Sequence, residues 1–312
     1  MSAFCLCMFT ACDSDDNNLL CYGTHTDIEG DVTAFGAVGD GKTDCSKAIN
    51  SAIASLPAEG GVLVIPEGDF VLDAPIVINK HNVTFKGLNP GMRSNIDVNG
   101  INELLGPGGG SKLVARNAEA AIKVETGMKG VKIMNLMVSG GTEAKNIGIH
   151  FVGATDNGML SNIIGINLHT GVKIEQAKTM QIVNCWVCEL PNSIELIGGE
   201  NIVVKNCQLG AQPTGITCKV QEVNKLSFIN NQVYPDGREN LVLDACNNCV
   251  IEGNNFKSYY NGILVLNGND NTVNKNIFWL TGAVQNQLLD HGDDFGIINV
   301  KGNNNMVTSN SL

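Results

Sequence analysis

The sequence predicts an all-β protein built as a single-stranded parallel β-helix, a solenoid whose N-terminal end is capped by a helix. Three observations predict this fold. Strand-like segments recur about every 22 residues, Gly accounts for 36 of the 312 residues, and hydrophobic residues reach 43% while charged residues stay at 16%. Gly-rich corners favour many short strands, and this hydrophobic fraction is typical of a chain that forms a core.

The repeat itself is marked by an apolar-polar-apolar motif. Its copies are separated by steps of 23, 22, 22, 25, 22 and 34 residues, and they begin at Ile149, Val172, Ile194, Ile216, Leu241, Ile263 and Ile297. A unit of this length cannot bury its own apolar side, but stacked copies can. A leucine-rich repeat has a similar period, but its Leu-x-x-Leu-x-Leu pattern and helical half are missing from this sequence.

A second strand-like segment between these copies carries a column of small polar residues. Alignment of the coils places Asn231, Asn254 and Asn276 in one column, and Cys185 and Cys207 fall in the same column of earlier coils. Stacked Asn side chains can bond along such a stack. The two cysteines are therefore interpreted as small buried fillers of a turn and not as metal ligands.

The segment before the coils predicts a cap over residues 30–75, with coils from about 76 to 312. A helix is expected from about Cys45 to Leu56, with Thr43 or Asp44 as its N-terminal cap, and strands follow in "GVLVIP" and "DFVL". Asp40 is interpreted as a loop residue. An open solenoid end needs a cover, and this segment resembles the entry of many pectate-lyase-like β-helices.

Residues 1–26 are expected to be a leader and tether, followed by one β-helix domain over residues 27–312. The apolar run that ends at Cys12, followed by an acidic stretch, resembles the end of a bacterial lipoprotein signal. This predicts an exported protein of the cell envelope or periplasm that contacts the membrane only through a lipid on Cys12.

The net charge of -11 disfavours nucleic acid as a partner, because nucleic acid requires a basic face. An acidic protein would also repel a polyanionic substrate, so the charge favours a neutral ligand. The sequence contains no apolar run long enough to predict a membrane-spanning helix.

Candidate catalytic residues lie among the outward positions of the apolar motif. We expect one column containing His150, Lys173, Glu195, Thr217, Val242, Leu264 and Ile298. In this column Glu195 lies between a lysine and a threonine and near an apolar stretch, which suits a general acid. Asp244 also points outward, roughly 10 Å from Glu195 if both line one face, a spacing that suits two carboxylates serving a sugar.

Two insertions lengthen the coils and offer further candidate residues, since binding sites are commonly built on loops. The first is "YPDGREN" and the second is "LTGAVQNQLLDHGDDFG", which carries His291, Asp293 and Asp294. The "DHGDD" segment lacks the spacing of a calcium loop, so no metal or other cofactor is predicted. Tyr259 and Tyr260 could stack on a sugar ring.

Three segments together resemble the inulin fructotransferase family, glycoside hydrolase family 91. They are "CELPNSIELIGGENIVVKNCQLGAQPTGIT", "VYPDGRENLVLDACNNCVIEGNNFKSYYNGILVLNG" and "HGDDFGIINVKGNNNMVTSN". The resemblance implies a right-handed β-helix that forms a homotrimer and binds fructan in clefts at or near subunit contacts. It also implies release of a terminal difructose unit from inulin as a cyclic dianhydride, without water and without a metal. Relatives continue for several strands beyond the position of Leu312, so an open last coil is expected.

The resemblance implies an Asp and a Glu as acid and base. The Glu is carried onto Glu195, and Asp244, Asp236 and Asp294 remain candidates for the Asp. The substrate-binding candidates are Glu189, Asn184, Arg238, Tyr259, Tyr260, His291, Asp293 and Asp294. Asn184 matches a position where relatives carry an acid, and Asp236 lies where relatives favour Arg.

Three alternatives to a dianhydride-forming enzyme stay open. A difructose dianhydride hydrolase would use the same site but admit water. A pectin-type lyase is disfavoured, because such enzymes require a basic groove for uronates, whereas this chain is acidic. A non-catalytic glycan-binding β-helix would retain the scaffold alone.

Overall fold

The structure is a computed structural model that describes residues 29–91, 97–98, 101–102, 110–141, 145–259, 262–280 and 296–312. The first strands are β1 (Glu29–Asp31), β2 (Asp40–Asp44), β3 (Gly61–Ile65), β4 (Gly68–Leu72), β5 (Ile76–Ile78), β6 (Val83–Gly87), β7 (Asp97–Val98), β8 (Ile101–Asn102) and β9 (Ser111–Ala115). The middle strands are β10 (Ala120–Val124), β11 (Lys132–Gly140), β12 (Ile147–Phe151), β13 (Gly158–Ile166), β14 (Thr170–Ala177), β15 (Met180–Val183), β16 (Trp186–Lys205) and β17 (Gln208–Gln221). The last strands are β18 (Asn224–Ile229), β19 (Gln232–Val233), β20 (Glu239–Asp244), β21 (Val250–Glu252), β22 (Asn255–Ser258), β23 (Leu264–Asn267), β24 (Thr272–Asn274), β25 (Ile277–Leu280), β26 (Ile298–Lys301) and β27 (Met306–Thr308).

Apart from the antiparallel hairpin of β7 and β8, these strands pair in parallel with the next coil and form three faces. Sheet 1 contains β1, β3, β6, β15, β18, β21, β24 and β27. Sheet 2 contains β2, β4, β9, β19, β22 and β25. Sheet 3 contains β5, β10, β12, β14, β20, β23 and β26. The longer strands β11, β13, β16 and β17 bend around corners and contribute to more than one sheet. The predicted parallel β-helix is confirmed.

The N-terminal cap is formed by a 3-10 turn (Val32–Phe35) and helix α1 (Ser46–Ser55), which packs against β5. The helix begins where the Asp44 carboxylate accepts hydrogen bonds from the backbone N–H and the hydroxyl of Ser46, at 3.0 and 2.6 Å. Its buried face carries Ile49 and Ile53. The predicted helix is confirmed, but its N-cap residue is Cys45, and Asp44, which was expected as the cap together with Thr43, lies one residue before it. Asp40 was expected in a loop, but it is the first residue of the short strand β2, where its carboxylate accepts from the backbone N–H groups of Lys42 and Thr43.

The predicted asparagine column is confirmed as a hydrogen-bonded ladder inside the coil. Asn231 Nδ2 donates to Asn254 Oδ1 at 3.1 Å, Asn254 Nδ2 to Asn276 Oδ1 at 2.9 Å, and Asn276 Nδ2 to Asn310 Oδ1 at 3.0 Å. In the preceding coil the backbone N–H of Cys207 donates to Asn231 Oδ1 at 2.9 Å. Each ladder residue follows a turn residue in the left-handed region, and these turn residues are Asn230, Gly253, Lys275 and Ser309.

Cys185 and Cys207 are each 1% exposed and fill this corner, as predicted. Their thiols approach the backbone carbonyl oxygens of Val183 and Lys205, at 3.4 and 3.3 Å. The described part of the chain contains no helix long and apolar enough to cross a membrane.

Candidate active site

A set of apolar side chains is buried on the outside of the coil, on the outer face of sheet 2. We call this set the outer cluster; it comprises Met137, Ile164, Ile166, Trp186 and Cys188, with Tyr234 packed against it. Its members are no more than 6% exposed, although they project away from the main core. Buried apolar surface on an outer face is typical of a ligand or partner site.

A cavity of about 120 Å³ opens beside this cluster, at the corner where sheet 2 turns into sheet 3. We call it the carboxylate cleft; it is lined by Trp186, Cys188, Glu189, Gly210, Ala211, Tyr234 and Asp236. The lining thus combines two aromatic rings with two carboxylates. Both acidic residues are exposed at the mouth, whereas Trp186 is 6% exposed.

The chain builds this cleft from three successive coils. Glu189 ends the sheet 2 part of β16 and has a φ of 65°, and Gln212 of the next coil donates from Nε2 to its carbonyl oxygen at 3.1 Å. Gly210 leaves room for the aromatic ring above it, because a Cβ at this position would lie 3.0 Å from Tyr234 Cβ. The Tyr234 hydroxyl donates to Gln208 Oε1 at 2.9 Å, which fixes the direction of the ring.

The loop that carries Asp236 is held at its base by an ion pair between a half-exposed arginine and a buried glutamate. Arg238 donates from Nε and Nη2 to Glu239, with the shortest distance at 2.8 Å, and the Glu239 side chain is only 5% exposed. The backbone N–H of Arg238 also donates to the carbonyl of Gly215 at 2.9 Å. Such two-point contacts of a guanidinium with a carboxylate fix geometry as well as adding energy. The loop therefore holds Asp236 at the cleft on a braced base.

A second cavity, of about 360 Å³, lies on the other side of Trp186. We call it the amide cleft; it is lined by Pro90, Gly91, Asn162, Ile163, Ile164, Asn184, Trp186, Asn206 and Gln208. Its polar groups are side-chain amides, which can donate to and accept from hydroxyl groups. Trp186 borders both cavities, and we refer to the two clefts together as the groove.

The structure brings together four of the predicted site residues at the corner of sheets 2 and 3. These are Glu189, Asp236, Arg238 and Tyr259, whose backbone N–H donates to the Pro235 carbonyl at 3.4 Å. Asn184 lies at the other end of the groove, where its φ of 57° also makes it one of the column of turn residues. Tyr260, His291, Asp293, Asp294 and Cys12 lie outside the described residues.

Glu195 and Asp244 lie on the outer face of sheet 3, around the corner from the carboxylate cleft, and they line neither cavity. Two coils and two residues separate them, which corresponds to roughly 12 Å between their Cα atoms. Asp244 is exposed and accepts a hydrogen bond from Asn267 Nδ2 at 2.8 Å.

The column expected around Glu195 is confirmed at His150, Lys173 and Val242 and was wrong at Thr217, Leu264 and Ile298. Glu195 pairs with Lys219 in the next coil, and the column continues through Val242, Val265 and Asn299. The strand pairing shifts twice between Val187 and Asn192, where the corner bulges, so Lys219 occupies the place expected for Thr217, two residues earlier in the chain. In the later coils Val265 and Asn299 each lie one residue beyond the expected Leu264 and Ile298. Thr217 and Leu264 are fully buried instead of facing out, and Ile298 is paired with Leu264.

Below Glu195, the same face carries a cluster of charged groups. Lys173 Nζ lies 3.0 Å from Glu175 Oε1, and His150 Nε2 lies 3.5 Å from the same oxygen. Burial lowers the pKa of His150 despite the opposing charge of Glu175. Burial alone would raise the pKa of Glu175, but its contacts with Lys173 hold the pKa below its usual value.

Sequence reasoning missed Trp186, Tyr234, Gln208 and Glu239 as site residues. A usable signal existed for the first, because Trp186 is one of only 2 tryptophans and occupies an outward position of a predicted strand. Among the described residues, His, Cys, Asp and Glu side chains form no group of three or more that could hold a metal ion.

Comparison with known proteins identifies two matching families. "Rhamnogalacturonase A/epimerase, pectate lyase-like" matches residues 31–231, and "Periplasmic copper-binding protein (NosD)" matches residues 184–312. The DFA-I-forming inulin fructotransferase of Arthrobacter globiformis is 24% identical over 314 residues, covering 90% of this chain and 79% of that protein. The resemblance to inulin fructotransferases is therefore confirmed.

Solved structures of the DFA-IIIase of Arthrobacter chlorophenolicus A6 share the fold. Its complex with DFA-III has a TM-score of 0.75 and 22% identity, covering 90% of this chain and 75% of that one. Its complex with GF2 has a TM-score of 0.74 and 21% identity, with coverages of 91% and 79%. Because the first family match spans most of the coil stack, the chain belongs to the rhamnogalacturonase A/epimerase, pectate lyase-like family.

Proposed function

We propose that this protein cleaves fructan and releases a cyclic difructose dianhydride by intramolecular fructosyl transfer. The observation that carries the proposal is the carboxylate cleft, in which Glu189 and Asp236 flank a floor of Trp186 and Tyr234. Its relatives support the substrate class, since one is an inulin fructotransferase and another is a DFA-IIIase in complex with DFA-III and with GF2.

The reaction requires one proton donor and one proton acceptor. A hydroxyl of one fructosyl unit attacks the anomeric carbon of its neighbour, and the bond from that carbon to the departing glycosidic oxygen breaks. One carboxyl group protonates the departing oxygen while the other accepts the proton of the attacking hydroxyl, so water is not consumed. Backbones two coils apart are separated by roughly 10 Å, and the side chains of Glu189 and Asp236 close part of this gap around a sugar.

The remainder of the groove suits an uncharged, hydroxyl-rich ligand. Aromatic rings can pack against the C–H faces of a sugar, and the side-chain amides of Asn184, Asn206 and Gln208 can exchange hydrogen bonds with its hydroxyls. Binding both fructosyl units in one orientation would supply much of the rate, because attack and departure occur within one substrate.

The resemblance assigns the catalytic Glu to Glu195, whereas the cleft geometry favours Glu189. One set of purified variants distinguishes these assignments: Glu189→Gln, Asp236→Asn, Glu195→Gln and Asp244→Asn. Glu222→Gln is the matched control, because Glu222 is an exposed carboxylate away from both cavities.

The assay incubates each variant with inulin and identifies products by mass. The wild type and the control should release a compound with the mass of two hexoses minus two waters. Glu189→Gln and Asp236→Asn should each reduce its formation by at least about 100-fold. Full activity in Glu189→Gln together with loss of activity in Glu195→Gln would identify Glu195, on sheet 3, as the catalytic glutamate. If the wild type releases no dianhydride, the proposed function fails.

A difructose dianhydride hydrolase is the second candidate, favoured by the DFA-IIIase relatives. It would convert the dianhydride to difructose and add one water to the mass. Incubation of the wild type with purified dianhydride in ¹⁸O-labelled water decides between the two, because only hydrolysis incorporates the label.

We also propose that the protein is a lipid-anchored homotrimer of the bacterial cell envelope, as the leader and the resemblance imply. The anchor at Cys12 is tested by labelling cells with a radioactive fatty acid. The label should enter the wild type and be lost in Cys12→Ala. Light scattering of the purified protein measures the trimer directly.

A further inference from the structure

We infer that the outer face of sheet 2 continues the carboxylate cleft as a binding track for an extended fructan chain, running along the coil axis through Tyr234 to Trp279. This inference rests on the proposed function and deepens it, since it assigns a polymer as the substrate. The track uses outward residues of β22 and β25 that the proposed chemistry leaves unused.

The strand register places these residues in two adjacent columns. In the first, Trp186 is followed in later coils by Gln208, Gln232, Asn255 and Ile277. In the second, Lys257 pairs with Trp279. Tyr234 precedes Lys257 in the same column, because Val233 pairs with Phe256. The track therefore begins at the cleft and is continuous with it.

Trp279 faces out from the coil. Its side chain is 56% exposed, whereas the adjacent Phe278 points inward and is 1% exposed. Ile277, on the same outer face, is 42% exposed. A tryptophan and an isoleucine that project together from one outer face form the kind of apolar surface that marks a binding site.

The aromatic side chains are spaced for a chain of sugar rings. Tyr234 and Trp279 lie two coils apart in one column, which is roughly 10 Å, and Trp186 lies two coils and two residues before Tyr234, which is roughly 12 Å. The spacing between adjacent coils is close to the length of one sugar ring. Every second ring of a chain lying along the coil axis would therefore meet an aromatic side chain.

Polar groups lie between the rings of the track. Gln232 and Asn255 carry amides, and Lys257 carries an ammonium group, all on the outer face. Such groups can bond to sugar hydroxyls, and the paired outward residues of β19, β22 and β25 that the structure describes include no carboxylate. This lining fits a neutral, hydroxylated polymer. A small cyclic dianhydride would fill only the carboxylate cleft and would not reach the residues of the track.

The test compares a long inulin with a fructan trisaccharide as substrates for Trp279→Ala, Trp279→Phe and the wild type. Trp279→Ala should raise KM for the long chain about tenfold, a ratio expected for one lost ring contact. Its kcat, and both constants for the trisaccharide, should be unchanged. Trp279→Phe should retain most of the wild-type KM. Val38→Ala, which removes an exposed apolar group at the other end of the coil stack, should change neither substrate's constants.

A binding measurement separates this proposal from the proposed function. Affinity electrophoresis in gels that contain long inulin should retard the wild type more than Trp279→Ala, whether or not a dianhydride is released. Equal retardation would overturn the track. An equal change of KM for both substrates would also overturn the track. A lower oligomeric mass of Trp279→Ala in light scattering would overturn it too, because it would assign the outer face of sheet 2 to contacts between copies of the chain.

Discussion

The asparagine ladder makes a quantitative prediction through Asn254→Ala. The Asn254 side chain is 1% exposed. Its Oδ1 accepts from the backbone N–H of Asn231 at 2.8 Å, and its Nδ2 donates to the Phe228 carbonyl at 2.8 Å and to Asn276 Oδ1 at 2.9 Å. Removal of the side chain leaves one backbone N–H and one backbone carbonyl without partners inside the coil.

The expected loss of stability follows from these two groups. A buried polar group that loses its partner costs about 1–3 kcal/mol, so two such groups cost about 2–6 kcal/mol. Asn276 Oδ1 still accepts from the backbone N–H of Asn254 at 2.9 Å, so it adds little. We therefore expect Asn254→Ala to lower the free energy of unfolding by ~4 kcal/mol.

The assay is urea unfolding followed by far-ultraviolet circular dichroism, with the free energy taken from the midpoint and the slope. Asn303→Ala is the control, because Asn303 is an exposed asparagine of the last described coil, and its change should remain within about 0.5 kcal/mol. If the coils unfold in more than one step, the step with the largest shift is compared. An effect of Asn254→Ala no larger than that of the control would refute the ladder as a source of stability.

Three further predictions test other parts of the fold. Gly199→Ala should destabilise the protein by about 2 kcal/mol or more in the same assay. Gly199 has a φ of 105°, and a Cβ at this position would lie 2.2 Å from the Ala177 carbonyl oxygen. An unchanged unfolding midpoint would contradict this prediction. Burial would raise the pKa of the Asp44 carboxyl, but hydrogen bonds from Ser46 hold this pKa below its usual value. The ionised carboxylate therefore stabilises the folded protein above the pKa of the unfolded state, and this contribution is lost as the pH falls through the lower pKa of the folded state. The melting temperature of the wild type should therefore exceed that of Asp44→Asn most at pH 6 and converge with it in acid; a difference that persists in acid would exclude this titration. Cys218 is 1% exposed, and burial raises the pKa of its thiol. Peptide mass mapping after treatment with iodoacetamide should therefore find Cys218 unmodified in the native protein and modified in urea. Rapid labelling of the native protein would contradict its burial.

The cap and the turn columns were predictable because their signals are local. Helix α1 is preceded by an acid that accepts a hydrogen bond from its first residue, and its apolar residues recur with the helical period. The ladder column was predictable because Asn recurs at the same place in successive copies of the repeat. In a stack of coils, equal spacing in sequence becomes direct contact in space.

The neighbours of Glu195 were not predictable, because they depend on the shape of a corner. The bulge between Val187 and Asn192 shifts the pairing of β16 with β17, so Lys219 and not Thr217 lies beside Glu195. The shift replaces the expected partner of Glu195, although Val242 keeps its expected place in the column. Nothing in the local pattern of apolar residues specifies the conformation of that corner.

The sequence by itself determined a stacked β-coil with a capped N-terminal end and an internal asparagine ladder, since alternation, turn residues and repeat length are properties of short segments. Only the tertiary structure decided which acids share a cleft. Glu189 and Asp236 lie 47 positions apart in the chain, and they line one cavity because their coils are stacked with a single coil between them, in which Gly210 leaves space for Tyr234. Side chains this distant in sequence are brought together by strand register and corner geometry, which are fixed only when the whole stack has formed.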